Sequence, residues 1–264
     1  MKTPIAELLS LKNKTAIVTG AASGIGKAIA TRFAEAGADL ILVNKNEKGL
    51  MVLKRELEKF GSNVSIHAFD ISDKHAISTF WEEIADRKPG ILINNAGMYP
   101  FKKFLDLDED YLLKVMNVNL FSVLWMCQSF IRSREKQGGV IVNIGSIEAI
   151  MPFKKDMAHY SLSKVGVIAL TRDLARDFGK KGFRVNAVIP GGIVTKGTKG
   201  AAREAVSTLN FGLMSESYNF MQRLPLGRLG DPDEIARMIL VLSSEASSYV
   251  QGTLIPVDGG FLSA

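Results

Sequence analysis

Cysteine, histidine and long apolar runs are all scarce in this chain of 264 residues. Cys127 is its only cysteine, so no internal disulfide can form, which predicts a reducing compartment and a cytoplasmic location. Cys127 lies in an apolar helical pattern, where a buried structural thiol is expected rather than a nucleophile. The three histidines are too few and too scattered for a metal site, so no metal is predicted.

Membrane and nucleic-acid partners are not expected either. No apolar run is long enough to span a bilayer, and residues 1–11 lack the apolar segment of a secretion signal. The net charge of +6 arises from 33 basic and 27 acidic residues that are spread along the chain. They form neither the basic helix nor the aromatic platform of a nucleic-acid binder.

What the chain does contain is an alternation of two periodicities. Strand-like apolar runs occur at 15–19, 39–43, 63–68, 90–93, 139–145, 183–189 and 253–257. Helical patterns occur at 27–37, 46–60, 73–86, 109–135, 158–179 and 231–244. This alternation predicts an α/β fold, a doubly wound parallel sheet of about seven strands with helices on both faces. No linker or repeat divides the chain, so residues 1–264 are predicted to form a single domain.

A glycine-rich turn joins the first predicted strand to the first long helical pattern. It reads Gly20-Ala21-Ala22-Ser23-Gly24-Ile25-Gly26 and follows the apolar run 15–19. Glycines let the backbone turn tightly and approach a pyrophosphate, to which the helix N-terminus offers N–H groups. A flexible glycine loop without a ligand is the alternative. A strand before the turn and a helix after it favour a Rossmann-type dinucleotide site.

Tyr160 and Lys164 are four residues apart in a helical pattern, so their side chains share one face. A free phenol has a pKa near ~10 and is a poor base at neutral pH. A neighbouring ammonium favours the phenolate, so we expect a lowered pKa for Tyr160 and a proton-transfer role. Alone, such a pair usually decorates an exposed helix face.

Taken together, the motifs resemble those of the short-chain dehydrogenase/reductase family over nearly the whole chain. The matching pieces follow the family's order: Thr19-Gly20-x-x-x-Gly24-Ile25-Gly26, Asp70, Asn94-Asn95-Ala96-Gly97, Asn119, Ser146, Tyr160 with Lys164, Pro190-Gly191 with Thr195, and Asp258-Gly259-Gly260. Within the family, the general resemblance is to 3-oxoacyl carrier-protein reductases and to sugar, polyol or alcohol dehydrogenases.

The resemblance implies an NAD(P)(H)-dependent oxidoreductase that moves a hydride between nicotinamide and a carbonyl or secondary alcohol. Tyr160 would exchange a proton with the substrate, and Ser146 would donate a hydrogen bond to the same oxygen. Lys164 would bind the nicotinamide ribose and lower the Tyr160 pKa, and Asn119 would support a water beside Lys164. A non-catalytic NADP-binding regulator is the alternative, which the presence of both Tyr160 and Lys164 disfavours.

The same resemblance implies which residues bind the cofactor. They are Gly20, Ser23, Gly24, Ile25, Gly26, Asn44, Lys45, Asp70, Ile71, Asn95, Ala96, Gly97, Tyr160, Lys164, Pro190, Gly191, Ile193 and Thr195. An acid at the end of the second strand would select NAD, but the chain has Asn44 and Lys45 there. We therefore expect NADP(H) to be preferred and NAD(H) to be accepted as well. A solvated Lys45 without a phosphate partner is the alternative.

Substrate identity is encoded less clearly. The resemblance places a substrate lid at about 192–226, with the apolar residues Ile193, Phe211, Met214, Tyr218, Phe220 and Met221. Substrate contacts are expected from Ser146, Tyr160, Phe153, Met157 and Gly192, with Phe101, Phe153 and Met157 on the wall opposite the lid. Alternatively, the apolar residues only pack the lid against the body. An anionic ligand is expected at Lys102, Lys103, Lys154, Lys155, Lys196 and Lys199.

Self-association is the remaining expectation. The helical patterns at 109–135 and 158–179 carry apolar residues around much of their circumference, which is typical of helices buried on several sides. By resemblance, these helices join subunits into a homotetramer or a dimer. The other predicted partner is a small carbonyl or alcohol substrate.

Overall fold

Seven parallel strands form one sheet in the structure, a computed structural model that describes residues 2–195 and 211–264. The side chains of 211–214, 216 and 217 fall outside this description. The strands are β1 (Thr15–Thr19), β2 (Asp39–Val43), β3 (Val64–His67), β4 (Ile91–Asn94), β5 (Gly139–Ile144), β6 (Phe183–Pro190) and β7 (Leu254–Val257). Their order is β3-β2-β1-β4-β5-β6-β7, and each neighbouring pair is parallel. The predicted α/β fold is confirmed.

Helices alternate with these strands along the chain. They are α1 (Ile5–Leu8), α2 (Gly24–Glu35), α3 (Glu47–Leu57), α4 (Lys74–Glu83), α5 (Glu109–Met116), α6 (Ser122–Ser133), α7 (Ala158–Phe178), α8 (Phe211–Gln222) and α9 (Pro232–Ser243). The prediction of one continuous helix over 109–135 is wrong in detail, because a π-helical segment, Asn117–Phe121, separates α5 from α6. The other predicted boundaries agree within a few residues.

Both faces of the sheet are buried, and β2 shows how. Leu40 and Leu42 point into a cluster that contains Phe33 of α2, whereas Ile41 belongs to a second cluster that contains Phe80 of α4. Successive strand residues point to opposite faces, so an uninterrupted apolar run is needed where helices cover both sides. This explains why the strands read as continuous apolar runs in the sequence.

The sheet order creates a crevice at its centre. β1 lies between β2 and β4. The chain adds β2 and β3 on one side of β1 and then crosses to add β4 to β7 on the other side. Ligands of open parallel sheets bind outside the carboxyl ends of the strands at such a point. The glycine-rich turn after β1 and the Asn94-Asn95-Ala96-Gly97 segment at the end of β4 meet there.

The last long helix is fixed at its first turn. Asp231 caps α9, with Pro232 in the first position and Glu234 completing a capping box. Asp233 in the same turn accepts hydrogen bonds from Arg32 of α2 at 2.5 and 2.8 Å, and Arg237 also contacts it. This ion-pair group ties α9 to α2, the helix that begins at the glycine-rich turn.

Candidate active site

The turn after β1 has room only for glycine at two of its predicted positions. Gly20 adopts a φ of 68°, and a Cβ there would lie 2.8 Å from the Cα of Ala96. A Cβ at Gly26 would lie 2.3 Å from the carbonyl oxygen of Gly20. The turn is therefore as tight as the sequence predicted, and it packs directly against the loop that follows β4.

Thr19 and Asn95 fasten that turn to the loop after β4. The Thr19 hydroxyl accepts hydrogen bonds from the N–H groups of Asn95 and Ala96, both at 3.0 Å. The Asn95 amide donates to the carbonyl oxygens of Thr19 and Gly20 at 2.9 and 3.3 Å. Asn95, predicted as a cofactor contact, thus also acts as a brace. Thr19 was not among the predicted site residues, although it directly precedes the glycine-rich turn.

A cavity of about 510 Å³ opens at this end of the sheet. Its predicted lining residues are Gly20, Ser23, Gly24, Ile25, Asn44, Lys45, Asp70, Ile71, Asn95, Ala96, Gly97 and Thr195. Residues that sequence reasoning missed also line it, namely Val43, Phe69, Ser72, Met98, Lys114 and Val118. The predicted cofactor residues outside its lining are Gly26, Tyr160, Lys164, Pro190, Gly191 and Ile193. The size and the mixed polar and apolar lining suit a nucleotide cofactor.

Two cations, Lys45 and Lys114, line one end of this cavity near Asp70. The Asp70 carboxylate accepts hydrogen bonds from the N–H and hydroxyl of Ser72 at 2.9 and 2.7 Å. These bonds lower the pKa of Asp70, and the charges of Lys45 and Lys114 lower it further. Asn44, at the end of β2, turns its side-chain oxygen to the N–H of Asn46 at 2.8 Å. The residue that directly follows β2 is thus a neutral asparagine and not an acid.

Ser146 and Tyr160 meet beyond the carboxyl end of β5. The Ser146 side chain acts on the Tyr160 phenol and lowers its pKa, and both residues are buried. Burial raises the pKa of Tyr160 to about 12, while Ser146 opposes the rise and the charge of Glu148 adds to it. The expectation of a lowered Tyr160 pKa is therefore wrong for the protein alone, because burial of the phenolate raises the pKa more than Ser146 lowers it.

Lys164 lies on the same face of α7 as Tyr160, as the spacing predicted. Its Nζ is 5.9 Å from the centre of the Tyr160 ring and donates a hydrogen bond to the carbonyl oxygen of Ile144 at 2.8 Å. Burial lowers the pKa of Lys164 to about 8. The ammonium is thus directed at the end of β5, beside the tyrosine rather than against its hydroxyl.

Asn119 is turned inward by the π-helical segment and is fully buried. Its side-chain oxygen accepts the N–H of Met98 at 2.8 Å, and its amide donates to the Met98 carbonyl oxygen at 3.0 Å and to Ser163 Oγ at 3.3 Å. The side chain therefore braces α7 against the loop after β4. The predicted support of a water beside Lys164 stays a prediction. π-Helical turns occur frequently at functional sites.

The segment after β6 borders the same crevice. Pro190 ends β6, and the Gly191 N–H donates to the Val257 carbonyl oxygen at 3.1 Å. Ile193 forms an isolated parallel bridge with Gly230 and is buried. Thr195 is the last residue before the part of the chain that lies outside the description, and it lines the cavity.

An aromatic cluster joins the predicted lid to the body. The ring of Phe153 stacks on that of Phe220 with centroids 4.9 Å apart, and Phe261 lies 4.9 Å from both. Met157 is buried at the start of α7, and a Cβ on Gly192 would touch the Phe220 ring. Phe153 and Phe220 thus pack the predicted lid against the body of the protein, as in the alternative given for the apolar residues. The side chains of Phe211 and Met214 lie outside the described residues.

Tyr99 is a neighbour of Tyr160 that sequence reasoning missed. Its ring meets that of Tyr160 edge to face, with centroids 4.8 Å apart, and that of Phe101 with centroids 5.2 Å apart. Tyr99 and Phe101 are both exposed, so they form an aromatic rim beside the buried phenol. Tyr218, a predicted lid residue, is also exposed.

Two of the lysines that were expected to attract an anionic ligand have contacts with protein groups. Lys102 forms an ion pair with Asp108 and lies over the ring of Tyr111 at 4.5 Å. Lys154 lies over the rings of Phe101 and Tyr99 at 4.9 and 5.8 Å. These contacts give both ammonium groups protein partners. Lys196 and Lys199 lie outside the described residues.

Cys127 is buried beneath the site, as predicted. The Asn94 amide donates to its sulfur at 3.2 Å and to the Asn143 side-chain oxygen at 2.9 Å. Burial raises the pKa of the thiol to about 12. Over residues 2–195 and 211–264, no group of histidine, cysteine and acidic side chains could hold a metal ion. Within the same ranges, no helix is both long enough and apolar enough to cross a membrane.

Comparisons with known proteins agree with this geometry. The profile of the family described as enoyl-(acyl carrier protein) reductase matches residues 20–262. A 3-oxoacyl-[acyl-carrier-protein] reductase (FabG) from Thermotoga maritima is 34% identical over 96% of this chain and 100% of its own length. An L-rhamnose 1-dehydrogenase (NAD(P)+) from a Sphingomonas species is 33% identical over 95% of this chain and 96% of its own.

Solved structures show the same fold. A putative NAD(P)-dependent gluconate 5-dehydrogenase from Beutenbergia cavernae, solved with bound NADP, superimposes with a TM-score of 0.89. It is 32% identical, and the match covers 97% of this chain and all of the other. The chain therefore belongs to the short-chain dehydrogenase/reductase family and is an oxidoreductase of that family.

Proposed function

We propose that this enzyme uses NADP(H), with NAD(H) as a second cofactor, to interconvert a carbonyl compound and its secondary alcohol. The observation that carries the proposal is the buried group of Ser146, Tyr160 and Lys164, in which Lys164 Nζ lies 5.9 Å from the centre of the Tyr160 ring on the same helix. The group lies outside the carboxyl ends of the strands, where ligands of such sheets bind.

The chemistry divides between the cofactor and the side chains. The bound nicotinamide supplies or accepts the hydride. In reduction, the Tyr160 hydroxyl gives its proton to the substrate oxygen, and in oxidation the phenolate takes the proton from the substrate hydroxyl. Ser146 donates a hydrogen bond to the same oxygen. A tyrosine with its pKa raised to about 12 holds its proton at neutral pH and is therefore ready to act as the acid in reduction.

Lys164 and Asn119 support this pair. The Lys164 ammonium, anchored on the Ile144 carbonyl oxygen, adds a positive charge beside the phenol and would bind the ribose of the cofactor. Asn119 keeps the loop after β4 and α7 at a fixed separation through Met98 and Ser163. Lys164 is thus anchored on the backbone of β5, and Asn119 joins the Met98 backbone to the Ser163 side chain on α7.

Cofactor preference rests on the charges at the far end of the cavity. Lys45 and Lys114 both act on Asp70, and the residue that follows β2 is the neutral Asn44. A 2′-phosphate would find cations there and no acid from β2 to repel it. The rhamnose dehydrogenase is named for NAD(P)+, and the gluconate dehydrogenase carries NADP, which supports the same preference.

The substrate space is aromatic on the sides that the structure describes. Tyr99 contacts the Tyr160 ring and Phe101 contacts Tyr99, so a substrate with hydrocarbon or ring surface is favoured. Residues 192–226 are proposed as the lid of a single domain that spans 1–264. A panel of ketoesters, acyl thioesters, polyols and aldoses, followed by nicotinamide absorbance, identifies the class.

Self-association through α5 and α7 is proposed on their outward apolar residues. Leu113 on α5 and Leu162 and Val165 on α7 are exposed in the single chain. Burying such side chains between copies would be favourable. We propose a homotetramer, or a dimer, in the cytoplasm. Light scattering on the purified protein decides between them, and a monomeric mass contradicts the proposal.

The deciding experiment replaces Tyr160 by phenylalanine. General acid–base catalysis contributes roughly 10²- to 10⁴-fold, so Y160F should lose at least about a hundredfold in kcat while NADP(H) still binds. Y249F is the matched control, because Tyr249 is fully exposed. If Y160F keeps the turnover of the native enzyme, the mechanism is wrong. A protein that binds NADP(H) and turns over nothing in the panel supports the regulator instead.

A further inference from the structure

Glu148 is a carboxylate with almost no solvent contact, directly beyond the reacting serine. It lies in the 3₁₀ turn Ile147–Ala149 and is 1% exposed. Its N–H donates to the hydroxyl of Ser146 at 3.2 Å. Burying a carboxylate is costly unless hydrogen bonds replace the lost water, so its presence here calls for a specific set of partners.

Both carboxylate oxygens of Glu148 hold the loop that leads to α7. One oxygen accepts the N–H of Phe153 at 3.2 Å, and the other accepts the N–H of Lys154 at 3.3 Å. From these anchored positions, the Phe153 ring reaches the aromatic cluster with Phe220, and the Lys154 ammonium reaches the ring of Phe101. One buried side chain thus sets an apolar group and a cation at the substrate end.

The same carboxylate belongs to the turn that carries Ser146, whose hydroxyl accepts the Glu148 N–H, and this turn lies beside Tyr160. The Glu148 charge adds to the rise in the Tyr160 pKa that burial produces. The groups that face Tyr160 are Lys164 from its own helix, Ser146 from the turn after β5, and the exposed Tyr99, which Lys154 approaches from above its ring. Among the described residues, the negative charge that acts on Tyr160 comes from Glu148.

Resting on the function proposed above, we propose that Glu148 is a positioning residue of the reaction with two separable effects. Its two oxygens fix the loop at Phe153 and Lys154 against the substrate space, and its negative charge acts on the Tyr160 phenol. The charge keeps the phenol protonated over a wider pH range. The enzyme therefore retains its reducing form at higher pH, and alcohol oxidation requires a more alkaline medium.

Two variants separate the charge from the loop contact. E148Q removes the charge and keeps the size, and E148D keeps the charge but shortens the reach to the loop. In alcohol oxidation, kcat/KM falls on the acid side as the phenolate takes up a proton. In E148Q this acid limb should move to lower pH by about half a unit. At a fixed pH on the limb, kcat/KM relative to its plateau value should then rise roughly threefold. In E148D the limb should stay, while KM rises about threefold or more, because the loss of one loop hydrogen bond costs about 1 kcal/mol.

Controls make each outcome decisive. E135Q makes the same change of net charge at an exposed residue paired with Lys181, and neither the limb nor KM should move. An unmoved limb in a folded E148Q contradicts the charge effect, and an unchanged KM in folded E148D contradicts the loop effect. If E148Q fails to fold, E148D still decides the loop effect. For the charge effect, the acid limb of the native enzyme should stay in place when salt is raised, because salt does not screen a buried charge, and a limb that moves with salt contradicts it. A Y160F variant with native activity refutes the proposed function itself and not the role of Glu148.

Discussion

The ring of Tyr99 stands edge-on against the ring of Tyr160, with centroids 4.8 Å apart and planes at 89°. Edge-to-face pairs of this kind contribute about 0.5–1.5 kcal/mol beyond the area they bury. Tyr99 comes from the loop after β4, so this loop helps to orient the Tyr160 phenol on α7. Rotation of the Tyr160 ring is therefore limited by a residue that is itself exposed to solvent.

Removal of the Tyr99 ring should reduce catalysis without unfolding the protein. Y99A loses the edge contact, so we expect kcat/KM to fall about fivefold to tenfold, in line with the energy of one aromatic pair. Y99F keeps the ring and should remain within about twofold of the native enzyme. Steady-state kinetics on the best substrate of the panel measures both. Equal losses in the two variants would show that the hydroxyl, and not the ring contact, matters.

Replacing Lys164 by methionine should abolish activity and stabilise the fold at neutral pH. Holding this amine at a pKa of about 8, against an ordinary 10.5, costs roughly 3 kcal/mol at pH 7. Loss of the bond to the Ile144 carbonyl oxygen offsets about 1–2 kcal/mol, which leaves K164M more stable by about 1 kcal/mol.

The sign of the pH dependence follows from the lowered pKa. Between pH 8 and 10.5 the unfolded chain binds more protons than the folded one, so the native protein gains stability as pH rises. The advantage of K164M should therefore shrink over that range. Urea unfolding at pH 7 and pH 10 measures it. A less stable K164M at both pH values would contradict the burial cost.

Lys45 should select the cofactor. A charge-assisted hydrogen bond to a 2′-phosphate contributes about 1.5–3 kcal/mol, so K45A should lower kcat/KM for NADP(H) by tenfold or more. The value for NAD(H) should change by less than about twofold. K48A is the matched control, since Lys48 is an exposed lysine of α3. A native preference for NAD(H), or equal losses with both cofactors, would contradict this assignment.

Asp233 should make stability depend on acid pH. Its hydrogen bond to Arg32 holds the pKa of the carboxyl at about 2, below its ordinary value of 3.8. Stability from this lowering is present above about pH 4 and is lost as pH falls toward 2. D233N should cost about 1 kcal/mol at pH 7, because partial exposure weakens the pair, and close to nothing at pH 2. Thermal unfolding at several pH values tests this, and a cost independent of pH would contradict it.

Cys127 should resist thiol reagents in the folded enzyme. The pKa of about 12 and the complete burial of the thiol leave almost no thiolate at pH 8. Because it is the only cysteine, one equivalent of Ellman's reagent should react in denaturant and almost none in native buffer. Rapid reaction of the native protein would place the sulfur nearer the surface.

The architecture was predictable because the strands and helices have strong periodicities. Apolar runs such as 39–43 became β2, and the spacing of Tyr160 and Lys164 gave their shared helix face. The glycine-rich turn was also predictable, since strand, turn and helix are contiguous in the sequence. These features depend on neighbouring residues, which a sequence displays directly.

Features that depend on distant residues were not predictable in the same way. The pKa of Tyr160 follows from how completely the fold removes it from water, which its spacing to Lys164 does not encode. Tyr99 lies in a loop without periodicity, and its contact with Tyr160 requires the assembled sheet. Glu148 reads as a polar turn residue until the fold closes the 149–154 loop over it.

The π-helical segment between α5 and α6 links core packing to the proposed chemistry. A π turn takes up one more residue than an α turn, so it absorbs a single extra residue without sliding Val115 or Met126 along the core. Deletion of one residue from the π-helical segment would restore α-helical geometry and turn Asn119 away from Met98. A chain shortened in this way would keep its hydrophobic interior and still lose the Asn119 contacts that join the loop after β4 to α7.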